Sequence, residues 1–194
     1  MDERIGDWIE THTGIKFYPL DPRPEEIDIK DIAHALSMVC RFNGHCSKFF
    51  SVAEHSMSVV DLVEDQYKLQ ALLHDASEAY ISDIARPIKR FLSNYVDIEK
   101  KLQDVIYKKF SVFTTEESNA AVKKADDIAL ATEAKYLIKS KGLNWNSKVE
   151  SHYLAFPMCL EPDIVERIFL NEFHKCIYNR DIQTLKNNSL QPNG

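Results

Sequence analysis

Two histidines and two carboxylates in this chain stand where one cation could gather them. In Ala71-Leu72-Leu73-His74-Asp75-Ala76-Ser77-Glu78, a His–Asp pair follows an apolar helical run directly. Burying an ionised carboxylate is costly unless a cation or strong hydrogen bonds compensate, and a metal ion provides that compensation. Neighbouring residues on a helix point roughly 100° apart, so both bind only an ion lying between their directions. The plain alternative is a buried, hydrogen-bonded structural pair. His55, one turn inside a capped segment, is a further candidate ligand. So is Asp126 in Val122-Lys123-Lys124-Ala125-Asp126-Asp127, which shares the small apolar side of its helix with Val122 and Ala129. Asp127 falls with Lys123 and Lys124 and reads as solvated. Two nitrogens and two oxygens suit Mn, Fe, Co, Ni or Zn better than calcium. Open positions on such an ion would take water and a phosphate oxygen, giving an acidified water and a neutralised phosphoryl group.

These residues need helices to position them, and the apolar spacing supplies helices. Ile32, Ala35, Leu36, Val39 and Cys40 predict a helix from about Lys30 to the break at Asn43-Gly44. Ser51-Val52-Ala53-Glu54 reads as a capping box, the serine capping the backbone and the glutamate reaching back, and opens a helix to about Glu64. A third helix is expected from Tyr67 to about Tyr80, a loop or short turn over Ser82–Lys89, and a longer helix from about Tyr95 to Phe113. A cap in Thr114-Thr115-Glu116-Glu117 begins a helix to about Ser140, stopped by Lys141-Gly142. Residues 143–161 look irregular, and Pro162 opens a final helix. The expectation is an all-α domain over 29–180, with an extended, proline-rich arm over 1–28 and a frayed tail over 181–194.

Composition narrows the partners. The 194 residues are 44% hydrophobic and 28% charged, with five glycines, which fits one domain with a real core. A net charge of −6 argues against a general grip on nucleic acid polymers, which requires a basic excess. A small phosphorylated ligand remains compatible, because a metal ion and a few local cations outweigh the global charge. The four cysteines form no Cys-x-x-Cys pair and read as reduced thiols. The N-terminus lacks the basic and apolar regions of a signal peptide, and no apolar stretch approaches a membrane span. A cytoplasmic protein with no membrane partner is expected, and the apolar positions of the last helix offer a homodimer contact.

His55, then His74-Asp75, then Asp126 follow the H…HD…D signature of the HD-domain phosphohydrolases. Arg41-Phe42, Ser51-Val52-Ala53-Glu54-His55-Ser56, His74-Asp75-Ala76-Ser77-Glu78, Asp83-Ile84-Ala85-Arg86-Pro87-Ile88-Lys89 and Val122-Lys123-Lys124-Ala125-Asp126 extend it. Together they resemble the bacterial 5′-deoxynucleotidase branch over roughly residues 30–140. Phage nucleotide triphosphohydrolases and the phosphohydrolase of oxetanocin biosynthesis belong to the same broad group. The resemblance implies a single HD-type helical bundle that removes phosphate from nucleotides or nucleotide analogues, using a divalent ion. Co2+ or Mn2+ is favoured; Mg2+, Ni2+, Fe2+ and Zn2+ are the alternatives. It implies that His55, His74, Asp75 and Asp126 hold the metal. Glu78 would be the general acid/base, Asp83 a second carboxylate near the attacking water, Arg41 a phosphate ligand and Lys89 a weaker one. The family pattern has tryptophan after the arginine, helping to exclude a ribose 2′-hydroxyl. Phe42 stands there in this chain, next to the sugar and base, so a strict deoxy preference does not carry over. His34 and His45 are assigned structural or supporting roles. The contrasting class is a non-catalytic nucleotide-binding regulatory module on the same scaffold. A cyclic-di-nucleotide phosphodiesterase is disfavoured, because no Gly-Tyr-Pro element follows the HD pair.

Overall fold

Helices begin in this chain where a side-chain oxygen can take an orphan backbone N–H. In the computed structural model, which describes residues 4–143, 145 and 149–189, Asp28 caps α1 (Ile29–Met38) by accepting from the Lys30 N–H. Ser51 caps α2 (Val52–Val60) by accepting from Glu54 N. Thr115 and Ser118 cap each other's backbone at the start of α7 (Glu116–Leu137). Between α2 and α7 lie α3 (Lys68–Leu72), α4 (Glu78–Ile81), α5 (Arg86–Lys89) and α6 (Ser93–Lys109). Pro162 starts α8, which runs to Ser189. Among the described residues the protein is all-α, apart from two antiparallel two-residue strands, β1 (Ile9–Glu10) and β2 (Lys16–Phe17).

The core is the set of apolar side chains these helices turn inward. Ile32 and Leu36 of α1, Val52 and Val59 of α2, Leu72 of α3, Leu102 and Ile106 of α6 and Phe169 of α8 are buried. Each such side chain contributes about 1.5–3 kcal/mol by leaving water. No helix among the described residues is long and apolar enough to cross a membrane.

Several boundaries differ from the periodicity. The first helix ends at Met38 rather than Asn43-Gly44, and a tight turn over Arg41–Gly44 follows, with Phe42 and Asn43 at φ 56° and 51°. The second ends at Val60, not near Glu64. Glu54 does not close a capping box: its carboxylate accepts from Cys159 N at 2.7 Å and Leu160 N at 3.0 Å, tying α2 to the strap before α8. The expected Tyr67–Tyr80 helix is broken over residues 73–77 into α3 and α4. The N-terminal arm is a small hairpin rather than a plain extended strap. Helix α8 passes the boundary expected at residue 180; of the frayed tail, residues 190–194 lie outside the described residues, as do residues 1–3 of the arm.

Candidate metal centre

His74 and Asp75 sit in the break between α3 and α4, and two devices hold that break open. In a continuous helix the Ala71 carbonyl would take the Asp75 N–H; here it accepts the His74 Nδ1–H at 2.7 Å. From α6, Gln103 donates through Nε2 to the Leu73 carbonyl at 2.7 Å and accepts the Ser77 N–H at 3.1 Å. One side chain thus pins both ends of the turn. Glu78 then opens α4 as a buried residue.

His55 is fully buried on α2, and its Nδ1 pairs with Glu133 Oε1 of α7 at 2.6 Å. Both Nδ1 atoms are therefore committed, and both Nε2 atoms are buried without a hydrogen-bond partner. They converge on one oxygen. Asp75 Oδ2 lies 3.2 Å from His74 Nε2 and 3.6 Å from His55 Nε2. Asp126 Oδ1 lies 3.3 Å from His55 Nε2. Ligand atoms each about 2.0–2.2 Å from a common ion are roughly 3.3–3.6 Å apart, so this spacing suits a divalent ion of the zinc or cobalt kind. The ligand atoms of His55, His74 and Asp75 all fall within 4.8 Å of one another, and Asp126 joins from the His55 side, its other oxygen held by Lys123 Nζ at 3.0 Å. Lys123 also pairs with Asp127.

The cluster couples carboxylates to nearby cationic side chains. Burial opposes the charge on Asp75 and Asp126, but the neighbouring His74 and His55, joined by Arg41 for Asp75 and Lys123 for Asp126, hold both carboxyls well below their usual range. Burial and Arg41 favour a neutral His55, yet the carboxylates of Glu133 and Asp126 raise it to about 9. An ion seated at Nε2 would displace that proton. Burial, reinforced by Asp75 and Asp83, pushes Glu78 up to about 9, so this buried carboxyl carries a proton near neutrality. One of its oxygens, Oε2, has no hydrogen-bond partner. Asp83 follows Ser82, whose φ of 69° turns the chain sharply after α4. Burial raises the Asp83 pKa; Arg41 opposes the rise, and Asp75 adds to it.

Arg41 is buried beside the same cluster. Its Nε donates to Glu133 Oε2 at 3.0 Å, and its Nη1 lies 3.8 Å from Asp75 Oδ2. The loop carrying it is fixed by Arg41 N to the Phe50 carbonyl at 2.9 Å and by Ser47 N to the Leu137 carbonyl of α7 at 2.8 Å. The Phe42 ring lies 6.1 Å from that of Trp145 and 5.5 Å from the Arg41 guanidinium. Lys89 is paired with Glu99 of α6 and lies near the Tyr95 ring, so it is not a free cation.

The structure thus brings His55, His74, Asp75, Asp126, Glu78, Asp83 and Arg41 into one electrostatic neighbourhood, with Phe42 next to Arg41, and with Lys89 paired to Glu99 yet close enough to act on Glu78 and Asp83. Sequence reasoning missed Glu133 and Gln103. Glu133 carried a signal: it lies seven residues, two helical turns, past Asp126, on the same apolar stripe as Val122, Ala125 and Ala129. Gln103 carried none, since a half-buried glutamine flanking Leu102 and Ile106 reads as an ordinary boundary position of α6.

No family model matches the chain. YfdR of Escherichia coli K12, an uncharacterized protein, is 41% identical over 138 residues, covering 71% of this chain and 76% of YfdR. An uncharacterized protein of Rhodobacter capsulatus is 32% identical over 142 residues, covering 67% of this chain and 72% of that protein.

Proposed function

This chain belongs to the family that includes YfdR, and we propose that it is a metal-dependent phosphohydrolase of the HD-domain type acting on nucleotides. One observation carries the reading: the Nε2 atoms of the buried His55 and the half-buried His74, with both Nδ1 atoms committed, lie 3.6 and 3.2 Å from the same Asp75 oxygen. In this reading His55, His74, Asp75 and Asp126 hold the ion. When bound, a divalent ion supplies Lewis acidity, making water more acidic and offsetting phosphoryl charge.

The chain's own residues then have distinct tasks. Glu133 accepts the His55 Nδ1–H, so that Nε2 would face the ion once its own proton is displaced, and its other oxygen orients Arg41. Arg41 presents fixed positive charge to phosphate oxygens at the rim of the carboxylate cluster. Glu78, protonated near neutrality, can give a proton to a leaving oxygen, while Asp83 accepts one from water. Phe42 with Trp145 offers apolar ring surface beside Arg41, suited to a sugar or base. The fully buried position of His55 and the enclosure of Glu78 limit bulk water at the cluster. Cytoplasmic residence and a nucleotide substrate belong to this same proposal.

The test is phosphate release from a panel of nucleoside mono-, di- and triphosphates by protein stripped of metal and reloaded with Mn2+ or Co2+. Release by the wild type and none by Asp75→Ala is the expected result. Nucleotide binding without release would favour the regulatory module, and an active Asp75→Ala protein with unchanged metal content would overturn the assignment.

A further inference from the structure

A second group of side chains of metal-ligating type lies outside the buried centre and shares no residue with it. His12 comes from the hairpin, His34 from α1 and Glu166 from α8. One ligand atom from each lies within 4.8 Å of the other two. The His12 and His34 rings are stacked, with centroids 3.7 Å apart and planes 14° from parallel. His34 Nδ1 is 2.9 Å from Glu166 Oε2.

This arrangement is built, not incidental. One turn before His34 on α1, the buried Asp31 accepts from both the Thr13 N–H at 2.7 Å and the Thr13 hydroxyl at 2.9 Å. These two hydrogen bonds anchor the hairpin tip on α1. They also set His12, next to Thr13, over His34, because Asp31 and His34 share a helix face. As stacked, the two rings point their in-plane lone pairs nearly parallel, so sharing an ion requires the exposed His12 ring to tilt out of the stack while His34 stays on α1.

We propose that His12, His34 and Glu166 form a second, surface site for a divalent late first-row metal ion, which clamps the N-terminal hairpin to the helices. The donor set chooses the ion class: two imidazoles and one carboxylate suit Zn2+, Co2+, Ni2+ or Cu2+, and not Ca2+ or Mg2+. Three protein ligands leave at least one position for water. The 2.9 Å His34–Glu166 contact needs only a few tenths of an ångström of opening to span an ion at about 2.0–2.2 Å from each atom. The proton in that contact leaves for solvent when the metal enters. The site joins segments 22 and 132 residues apart in sequence, so an ion there ties the hairpin to both α1 and α8.

The experiment is equilibrium dialysis of the full chain against Zn2+, with bound metal counted per chain and trypsin cleavage after Lys16 followed alongside. The wild type is expected to bind one more equivalent than His12→Ala, and Zn2+ should slow cleavage in the wild type alone. His12 is exposed, so its removal leaves the fold intact; Glu166→Gln should weaken the same equivalent at least tenfold. Asp75→Ala should keep it, separating this site from the buried one. Equal stoichiometry in the wild type and His12→Ala, or Zn2+ protection that survives His12→Ala, would overturn the proposal.

Discussion

The buried and surface histidine clusters differ in what holds their rings. At the buried centre each imidazole has its Nδ1 spoken for, by Glu133 for His55 and by the Ala71 carbonyl for His74, so both Nε2 atoms are aimed before any ion arrives. At the surface cluster His34 is held through the atom that faces the others, and His12 lies in the loop of a hairpin whose strands are two residues each. The first arrangement is preorganised and should bind tightly. The second must shed an internal bond first, and should bind more weakly and report on the arm. The two clusters have similar ligand spacing, so what sets them apart is the support of a second layer of side chains at the buried one.

The largest expected effect lies with a group the surface cluster lacks altogether, the enclosed and protonated Glu78. Glu78→Gln keeps shape and neutrality but cannot transfer a proton, so turnover should fall roughly 10²–10⁴-fold. Metal content at the buried centre should be unchanged. Steady-state kinetics with metal analysis of the same samples checks this, and wild-type turnover would remove Glu78 from the chemistry.

Next comes the support itself. Glu133→Ala strands a buried guanidinium and a buried imidazole, and should cost about 3–5 kcal/mol of stability in urea melts with chelator present. It should also weaken metal binding at the buried centre roughly 10–100-fold, with the surface equivalent unaffected. Glu133→Gln, which still offers His55 an acceptor, should be milder on both counts.

That the site was largely legible while its support was not has a physical cause. His55, His74, Asp75 and Asp126 stand out because charged or ionisable side chains interrupt apolar runs, an expense that needs a reason. Glu133 is the same kind of interruption on the same stripe of α7, but its distance from the HD pair in sequence hid the link. Glu54 shows the reverse error. Its spacing from Ser51 fits a local cap, yet its partners lie 105 and 106 residues away, and no local pattern encodes them. Periodicity found the helices but ran α3 into α4, because a single turn of broken helix leaves the apolar spacing nearly unchanged. The hairpin escaped because two-residue strands are too short for alternation to register.

Gln103 offers a finer cut at the buried side. Gln103→Ala removes two hydrogen bonds to the His74–Asp75 turn and should cost about 1–3 kcal/mol. Since both bonds end on backbone groups at the turn's edges, the loss should appear as faster hydrogen exchange at residues 73–77 and weaker metal binding, without loss of α6. Unchanged metal affinity would mean that the His74 bond to Ala71 alone keeps the break open.

The smallest change probes whether the two regions are independent. Thr13→Ala deletes the hydroxyl bond to Asp31 while the Thr13 N–H bond remains, so the hairpin tip should loosen by about 0.5–1.5 kcal/mol. Because His12 gains its place over His34 through that anchor, the surface equivalent of Zn2+ should bind several-fold more weakly. Asp31 lies on α1, however, and Phe17, just past the hairpin tip, stacks on Tyr80 of α4 at 4.1 Å, one helical turn or less from Glu78. The arm therefore packs, through this ring pair, on the same short helix that carries Glu78. If Thr13→Ala leaves nucleotide turnover and the buried metal unchanged, the hairpin ends at a structural clamp. If turnover shifts with the surface affinity, the ring pair transmits the state of the arm, and the division between a rigid centre and a separate peripheral site no longer stands.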